Sequence, residues 1–219
     1  DFILSAIGEG VDTVLNLGAG LDTRPYRMNL PASLHWIEGD YPHLVDYKES
    51  QLAHATPRCE LERVRIDLAD RPVRQKLFSR VNSQANRILV LTEGLVTYLS
   101  VEEAAPLADD LRALNRVRYW LVDNFSRDAM KFRHRRGLGQ KMQNAPFKFA
   151  PGDWFGFFRR HGWQSKEIRW LADEGERRRR PIPLPPLAKV ALKFWSLFLS
   201  KERRDELRKF AGYVLLEPC

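Results

Sequence analysis

The stretch "VLNLGAGLDTRPYR" (Val14 to Arg27) decides the reading of this 219-residue chain. Its first half is an apolar run that stops at Gly18-Ala19-Gly20, the pattern of a strand turning sharply toward a helix. Glycines after the first strand of a nucleotide-binding crossover let the backbone bend and approach a ligand that a Cβ would push away. The second half departs from the dinucleotide fingerprint. Where a third small residue would let a helix pack beneath a pyrophosphate, the chain has Leu21-Asp22-Thr23, and a carboxylate is a poor neighbour for phosphate. Asp22 suits a ligand with a cationic part, an ammonium or a sulfonium.

Outward from this turn, strand-like and helix-like segments alternate, which predicts an α/β fold with a mostly parallel sheet. Strands are expected at 12–18, 34–40, 62–68, 87–93 and 118–125, with helices near 41–54, 72–81 and 101–114. The last helix opens on Ser100 with Glu103 three residues on, a capping box. After Phe125 a polar, basic, glycine-punctuated stretch reads as a loop or lid. A helix at 153–160, a strand at 163–171, an arginine run leading into "PIPLPP", an amphipathic helix near 187–199 and a final strand at 211–217 complete the chain.

In open α/β sheets ligands bind beyond the carboxyl ends of the strands, so the residues there are the candidate site. The second strand ends at Glu38 and Asp40, about twenty residues beyond the glycines, where an acid accepts both hydroxyl hydrogens of a ribose. The third ends in "RIDLAD". Asp67 can accept from an adenine amino group there, while Leu68 offers backbone contact and an apolar face. The fourth ends in "LTEGLVTYLS", which places Glu93 and Gly94 opposite the remaining part of the ligand.

Taken in order, "NLGAGLDTRPYR", "WIEGDYP", "RIDLAD" and "LTEGLVTYLS" resemble the leucine carboxyl methyltransferase and TcmP-like family of class I S-adenosylmethionine-dependent O-methyltransferases. The resemblance covers residues 12–100 closely and the rest in outline. It implies a Rossmann-like, seven-stranded, mostly parallel sheet with an antiparallel last strand, plus a lid. It implies S-adenosyl-L-methionine as cofactor, S-adenosylhomocysteine as product, and a site in which Gly18, Ala19 and Gly20 lie under the cofactor. Asp22 stands beside that turn, Asp40 binds the ribose, Asp67 and Leu68 meet the adenine, and Glu93 and Gly94 line the methionine end. Relatives carry further helices before the first strand, including a basic residue for the cofactor carboxylate; this chain starts about a dozen residues before that strand, so a shortened N-terminus is expected.

Composition narrows the class. No apolar run approaches the roughly 18 residues of a membrane span, so no transmembrane segment is expected, although peripheral membrane contact through 187–199 is compatible with the pattern. Two cysteines give neither a disulfide framework nor a zinc spacing, which fits a cytoplasmic setting and no metal. Thirty-six Lys and Arg against 28 Asp and Glu give a net charge of +8, concentrated in "KFRHRR" (131–136) and "ERRRR" (176–180). Such clusters can attract nucleic acid, but no RNA-binding signature occurs and the lone Phe132 within the runs is not the interleaved set of aromatics that stacking platforms would need, so no nucleic-acid partner is expected.

Methyl transfer is an in-line displacement that mainly needs the acceptor held near the methyl carbon and on axis. Cations are plentiful and bases few, which favours an acidic acceptor; that the acceptor is a small molecule, acidic or phenolic, polyketide-like or another metabolite, is what the family resemblance implies. Arg24 beside the turn and Tyr98 after the fourth strand are the catalytic candidates, with Arg27, Arg133, Arg135, Arg136 and Lys148 as further cations. The expectation is one domain over 1–219 with substrate-lid insertions near 127–150 and 172–207. Alternatives are a protein C-terminal carboxyl methyltransferase, a basic RNA-modifying protein and a nicotinamide-dependent oxidoreductase, the last disfavoured by Asp22 and Thr23.

Overall fold

A computed structural model describes residues 1–126, 147–180 and 200–219. The basic segment 131–136, most of the 127–150 lid, "PIPLPP" and the 187–199 helix therefore lie outside the described residues. The elements are α1 (Phe2–Gly8), β1 (Thr13–Leu17), α2 (Arg24–Arg27), β2 (His35–Asp40), α3 (Pro42–Gln51), β3 (Glu60–Arg65), α4 (Arg71–Gln84), β4 (Ile88–Thr92), a 3₁₀ turn (Val96–Tyr98), α5 (Val101–Arg112), β5 (Val117–Phe125), α6 (Trp154–Arg160), β6 (Trp163–Trp170), α7 (Leu171–Arg177), α8 (Lys201–Arg208) and β7 (Ala211–Pro218).

The seven strands lie in the order β3-β2-β1-β4-β5-β7-β6. β1 pairs in parallel with both β2 and β4, β2 with β3 and β4 with β5, with antiparallel pairing at the β7 end. This is the mostly parallel seven-stranded α/β sheet expected from the sequence. Its order reverses between β1 and β4, so the chain leaves these two neighbours in opposite directions and opens a crevice above their carboxyl ends. The glycine turn after β1 and the Glu93-Gly94 turn after β4 stand on either side of it.

β1 and β4 are buried at every position, as central parallel strands covered on both faces must be. β3, at the sheet edge, is only half buried and ends at Arg65, three residues earlier than the alternation "ERVRIDL" predicts. Ile66 to Asp70 therefore form a loop into α4, whose N-cap Asp70 accepts from the Val73 N–H. The Ser100-Glu103 capping box forms as expected, each side chain accepting the other's backbone N–H at 3.2 and 2.7 Å.

The chain packs as two compact units. The first comprises Asp1–Val122, Phe147–Lys166 and Leu215–Cys219. Its core includes an aromatic cluster in which Trp120 meets Phe158 and Trp163 edge-on, with ring centroids 5.2 Å apart in both pairs. Phe149 joins this layer through Phe157 and Phe158, and residues Lys148 and Phe149 donate backbone N–H bonds to the Thr97 carbonyl. In the second unit, Asp123–Pro146 and Glu167–Val214, α8 is tied to α7 by Arg208, which pairs with Asp173 at 2.8 Å and Glu176 at 2.6 Å. The arginine run thus starts inside a helix, α7, rather than in the loop its composition suggests; its acids Asp173 and Glu174 occupy the favourable first turn. Among the described residues no helix is long and apolar enough to cross a membrane.

Candidate functional site

The site begins with backbone geometry. Gly18, Gly20 and Gly94 have φ of +67°, +46° and +69°, the left-handed region that side chains disfavour. A Cβ on Gly18 would meet Leu95 Cδ1 at 3.3 Å, so the turn after β1 and the turn after β4 approach as closely as their atoms permit. Asp40, buried at the end of β2, locks the first turn. One carboxylate oxygen accepts from the Gly20 N–H at 2.6 Å, across the β1/β2 edge, and the other from the Tyr41 N–H at 2.7 Å.

Two cavities share Gly18 as a common wall. The first, about 380 Å³, is lined mainly by apolar groups, Ile66, Leu68, Leu95, Leu99, Pro106 and Leu107, with Asp40 and Tyr41 at one side and Arg71, Arg74, Glu102 and Glu103 at another. The second, about 330 Å³, is lined largely by charged and polar groups: Asn16, Asp22, Arg24, Arg27 and Glu93, with Gly18 and Ala19.

In the polar cavity the charges are organised around Arg24. Its guanidinium pairs with Asp22 at 2.7 Å and also with Glu93, bridging the two turns. Asn16, in the middle of β1, donates its amide to the same Asp22 oxygen at 3.0 Å. Burial works against the charge on Arg24, but Glu93 and Asp22 hold its pKa above the ordinary arginine value. Asp22, Arg24 and Glu93 together carry one net negative charge, which Arg27 on the same wall balances.

Behind the apolar cavity, Asp67 accepts from the Ala69 N–H at 2.9 Å, and its carbonyl from the Asp70 N–H at 3.2 Å. Asp67 also faces the Tyr41 hydroxyl, whose pKa it raises together with burial and Asp40. Beneath Asp40 lies a buried ionic cluster: Glu38 pairs with Lys48 at 2.8 Å and Arg63 at 3.0 Å, and Arg63 donates to the Tyr26 hydroxyl at 2.6 Å. Burial pushes the Glu38 carboxyl above its usual range in spite of the hydrogen bonds and charges of Lys48 and Arg63.

Of the residues singled out from sequence, Gly18 and Asp40 line the apolar cavity together with Leu68, and Gly18, Ala19, Asp22, Arg24 and Glu93 line the polar one. Gly20 and Gly94 shape the turns. Asp67 stands exposed behind Tyr41. Tyr98 belongs to neither wall; its ring sits edge-on to Phe147 at 5.1 Å. Sequence reasoning missed Asn16, Tyr41 and the Arg74-Asp110 pair. Asn16 carried a signal, since a lone amide amid the apolar "VLNLG" is unusual for a central strand; Arg74 carried none, because its partner is 36 residues away.

A leucine carboxyl methyltransferase family model matches residues 1–112. A protein of Parafrankia sp. provisionally named as an S-adenosyl-L-methionine-dependent methyltransferase is 32% identical over 197 residues, covering 84% of this chain and 60% of its own length. One of the same provisional name from Frankia alni is 30% identical over 201 residues, with 84% and 67% covered. The chain thus spans roughly two thirds or less of the length of these relatives. Among solved structures, a DUF574 family protein from Streptomyces avermitilis superposes with a TM-score of 0.62 at 16% identity, covering 98% of this chain and 78% of that one. The magnesium protoporphyrin IX methyltransferase of Synechocystis, solved with SAH bound, gives 0.53 at 10% identity over 100% and 80%. At these identities the solved structures establish the fold.

Proposed function

The chain belongs to the leucine carboxyl methyltransferase family, and from that premise we propose that it is an S-adenosylmethionine-dependent O-methyltransferase acting on a carboxylate or hydroxyl of a small molecule. The observation that carries the proposal is the pair of cavities meeting at Gly18. An apolar cleft beside a buried acid, with Gly18 shared with a polar pocket that holds two carboxylates, suits a ligand that has an aromatic base, a diol and a cationic tail in that order.

The residues fit that ligand. Gly18 and Gly20 leave out the Cβ atoms that would crowd it; at Gly20 nothing lies within 4 Å of where a Cβ would stand. Asp40 uses one lone pair on each oxygen for the turn and keeps the others for the ribose hydroxyls. Leu68, Leu95 and Tyr41 enclose the base. The carboxylates of Asp22 and Glu93 receive the ammonium.

When bound, S-adenosylmethionine supplies a methyl group on a sulfonium, open to in-line displacement. The protein's part is to position and desolvate. Arg24, neutralised by two acids, holds Glu93 and Asp22 in place; it is a positioning residue in this proposal. Tyr98 is assigned to the acceptor side, because residues 147–149 return onto its helical turn through Thr97. A carboxylate acceptor is already ionised at neutral pH and needs no base, in keeping with cavity walls that carry no imidazole among the described residues.

Calorimetric titration with S-adenosylhomocysteine, with NAD as control, tests the proposal. Micromolar binding of the former and none of the latter is expected, followed by methyl incorporation into small acids or phenols from a labelled donor. A folded chain that binds neither, or prefers NAD, refutes it.

A further inference from the structure

Arg74 is a buried cation in the wall of the apolar cavity to which the proposed function gives no role. It lies one turn into α4, with only 5% of its surface exposed, and lines the apolar cavity. Its Nη1 donates to the Leu68 carbonyl at 2.6 Å and its Nη2 to Asp110 Oδ2 at 2.6 Å. Asp110, itself buried in α5, also accepts from Arg71 Nη2 at 2.8 Å and Gln75 Nε2 at 2.9 Å. Burial raises the Asp110 pKa, but hydrogen bonds from Arg71, Arg74 and Gln75 outweigh it and hold the carboxyl below its ordinary value. Apolar residues would join α4 to α5 equally well, since a buried ion pair is often no more stabilising than a packed apolar replacement. What an apolar residue could not do is grip the Leu68 carbonyl.

That grip matters because of where Leu68 stands. The loop from Asp67 to Asp70 is held by the Ala69 N–H on Asp67 Oδ1, by the Asp70 N–H on the Asp67 carbonyl and by Arg74 on the Leu68 carbonyl. The Leu68 N–H has no acceptor among the described residues. Asp67 and Leu68 together thus offer a carboxylate acceptor next to an unfilled N–H donor. An adenine edge carries the complementary pair, the 6-amino donor and the N1 acceptor. Hypoxanthine carries the reverse, a carbonyl acceptor and an N1–H donor.

We propose that Arg74, anchored by Asp110, is a positioning residue for base recognition: by fixing the Leu68 carbonyl it sets the Asp67-Leu68 edge that distinguishes a 6-aminopurine from a 6-oxopurine. The inference rests on the proposed reading of the cavity as an adenosyl site. Arg71 provides an internal control for the ratio alone. It shares Asp110 and lines the same cavity, so its loss is expected to shift both affinities together, but it touches no backbone of the loop and is half exposed, with 52% of its side chain accessible.

The test compares the affinity of the whole chain for S-adenosylhomocysteine and for S-inosylhomocysteine by calorimetry, in the wild type and in Arg74→Met, Arg74→Lys, Asp110→Asn and Arg71→Gln, each checked for folding by circular dichroism and thermal melting. A site built on paired hydrogen bonds rejects the reversed pattern strongly, so the wild type is expected to prefer the adenine compound at least about 100-fold. Arg74→Met and Asp110→Asn are expected to weaken it about 10-fold or more while changing the inosine compound less than about threefold, collapsing the ratio. Arg74→Lys, with one donor group for two acceptors, should fall between, and Arg71→Gln should keep the ratio. Equal weakening of both compounds in Arg74→Met and Asp110→Asn, or a ratio that Arg71→Gln disturbs as much, would reduce Arg74 to a strut between two helices and overturn the inference. Asp110→Asn, nearly isosteric, decides the matter should Arg74→Met not fold. Failure of the wild type to bind S-adenosylhomocysteine is a separate result, and it removes the cofactor reading along with the inference.

Discussion

Replacing Asp40 separates the task that the structure gives its carboxylate from the one that the proposed function gives it. Its oxygens accept from the Gly20 and Tyr41 amides at 2.6 and 2.7 Å. Each is a charge-assisted bond of about 1.5–3 kcal/mol, and deletion leaves two amides with poor access to water. Asp40→Ala should therefore cost ~3 kcal/mol of folding stability, which a domain stable by about 5–15 kcal/mol survives. Asp40→Asn, which keeps one acceptor oxygen, should cost about half. The second task, on the lone pairs left over, is to accept from the ribose hydroxyls. Its loss should weaken S-adenosylhomocysteine by about 2–3 kcal/mol, near 100-fold. Urea denaturation reads the first number and calorimetry the second. A ligand lacking both ribose hydroxyls isolates the second, because Asp40→Asn should hardly change its affinity beyond what the loosened turn costs. Asp40→Ala that loses stability but binds S-adenosylhomocysteine like the wild type would refute the ribose role; one that loses affinity with no loss of stability would show that the two amide bonds are not what holds the glycine turn.

Three further outcomes are expected. Glu38 is buried with its pKa raised, so the folded state holds its proton more tightly than the unfolded state; its contribution is fully favourable below the unfolded value and declines as pH rises through the folded one. Glu38→Gln should flatten the stability-pH curve above about pH 4.5, and an unchanged slope in urea titrations would show that Lys48 and Arg63 dominate after all. Asp110 has the opposite sign: its lowered pKa gives stability that is present above the unfolded value and is lost as pH falls through the folded one, a loss that Asp110→Asn should abolish in acid denaturation. Gly18→Ala must adopt φ +67° and push Leu95, whereas Gly20→Ala meets only the φ penalty of about 1–2 kcal/mol in open space; thermal melts should rank Gly18→Ala as the more damaging, and the reverse order would contradict the close approach of the two turns.

What was legible in the sequence, and what was not, follows from the range of the interactions involved. The sheet was legible because its signals are local: apolar runs of strand length ended by Gly18, Asp40 and Gly94, at intervals that leave room for one helix each. The acids at the strand ends were legible for the same reason, since a parallel sheet brings every carboxyl end to one edge. Where β3 stops was misplaced by three residues because alternation continues through Ile66, whose N–H still bonds to the Asp40 carbonyl, and Leu68, which stands half buried in the cavity wall. Asp22 could be seen as an acid beside the turn, but not that Arg24 would bind it to Glu93, 71 positions downstream, so a residue that looked like a catalytic cation turns out to be neutralised on both sides. Arg74 and Asp110 lay deeper still. Each reads as an ordinary charged position on an amphipathic helix, and only the packing of α4 on α5 buries them together against the Leu68 carbonyl. Pattern shows which residues reach the ligand edge. Which of them are held ready for it depends on side chains that the fold brings in from elsewhere: a carboxylate buried in α5 anchors the arginine that grips the loop after β3, the loop on which the proposed base recognition rests.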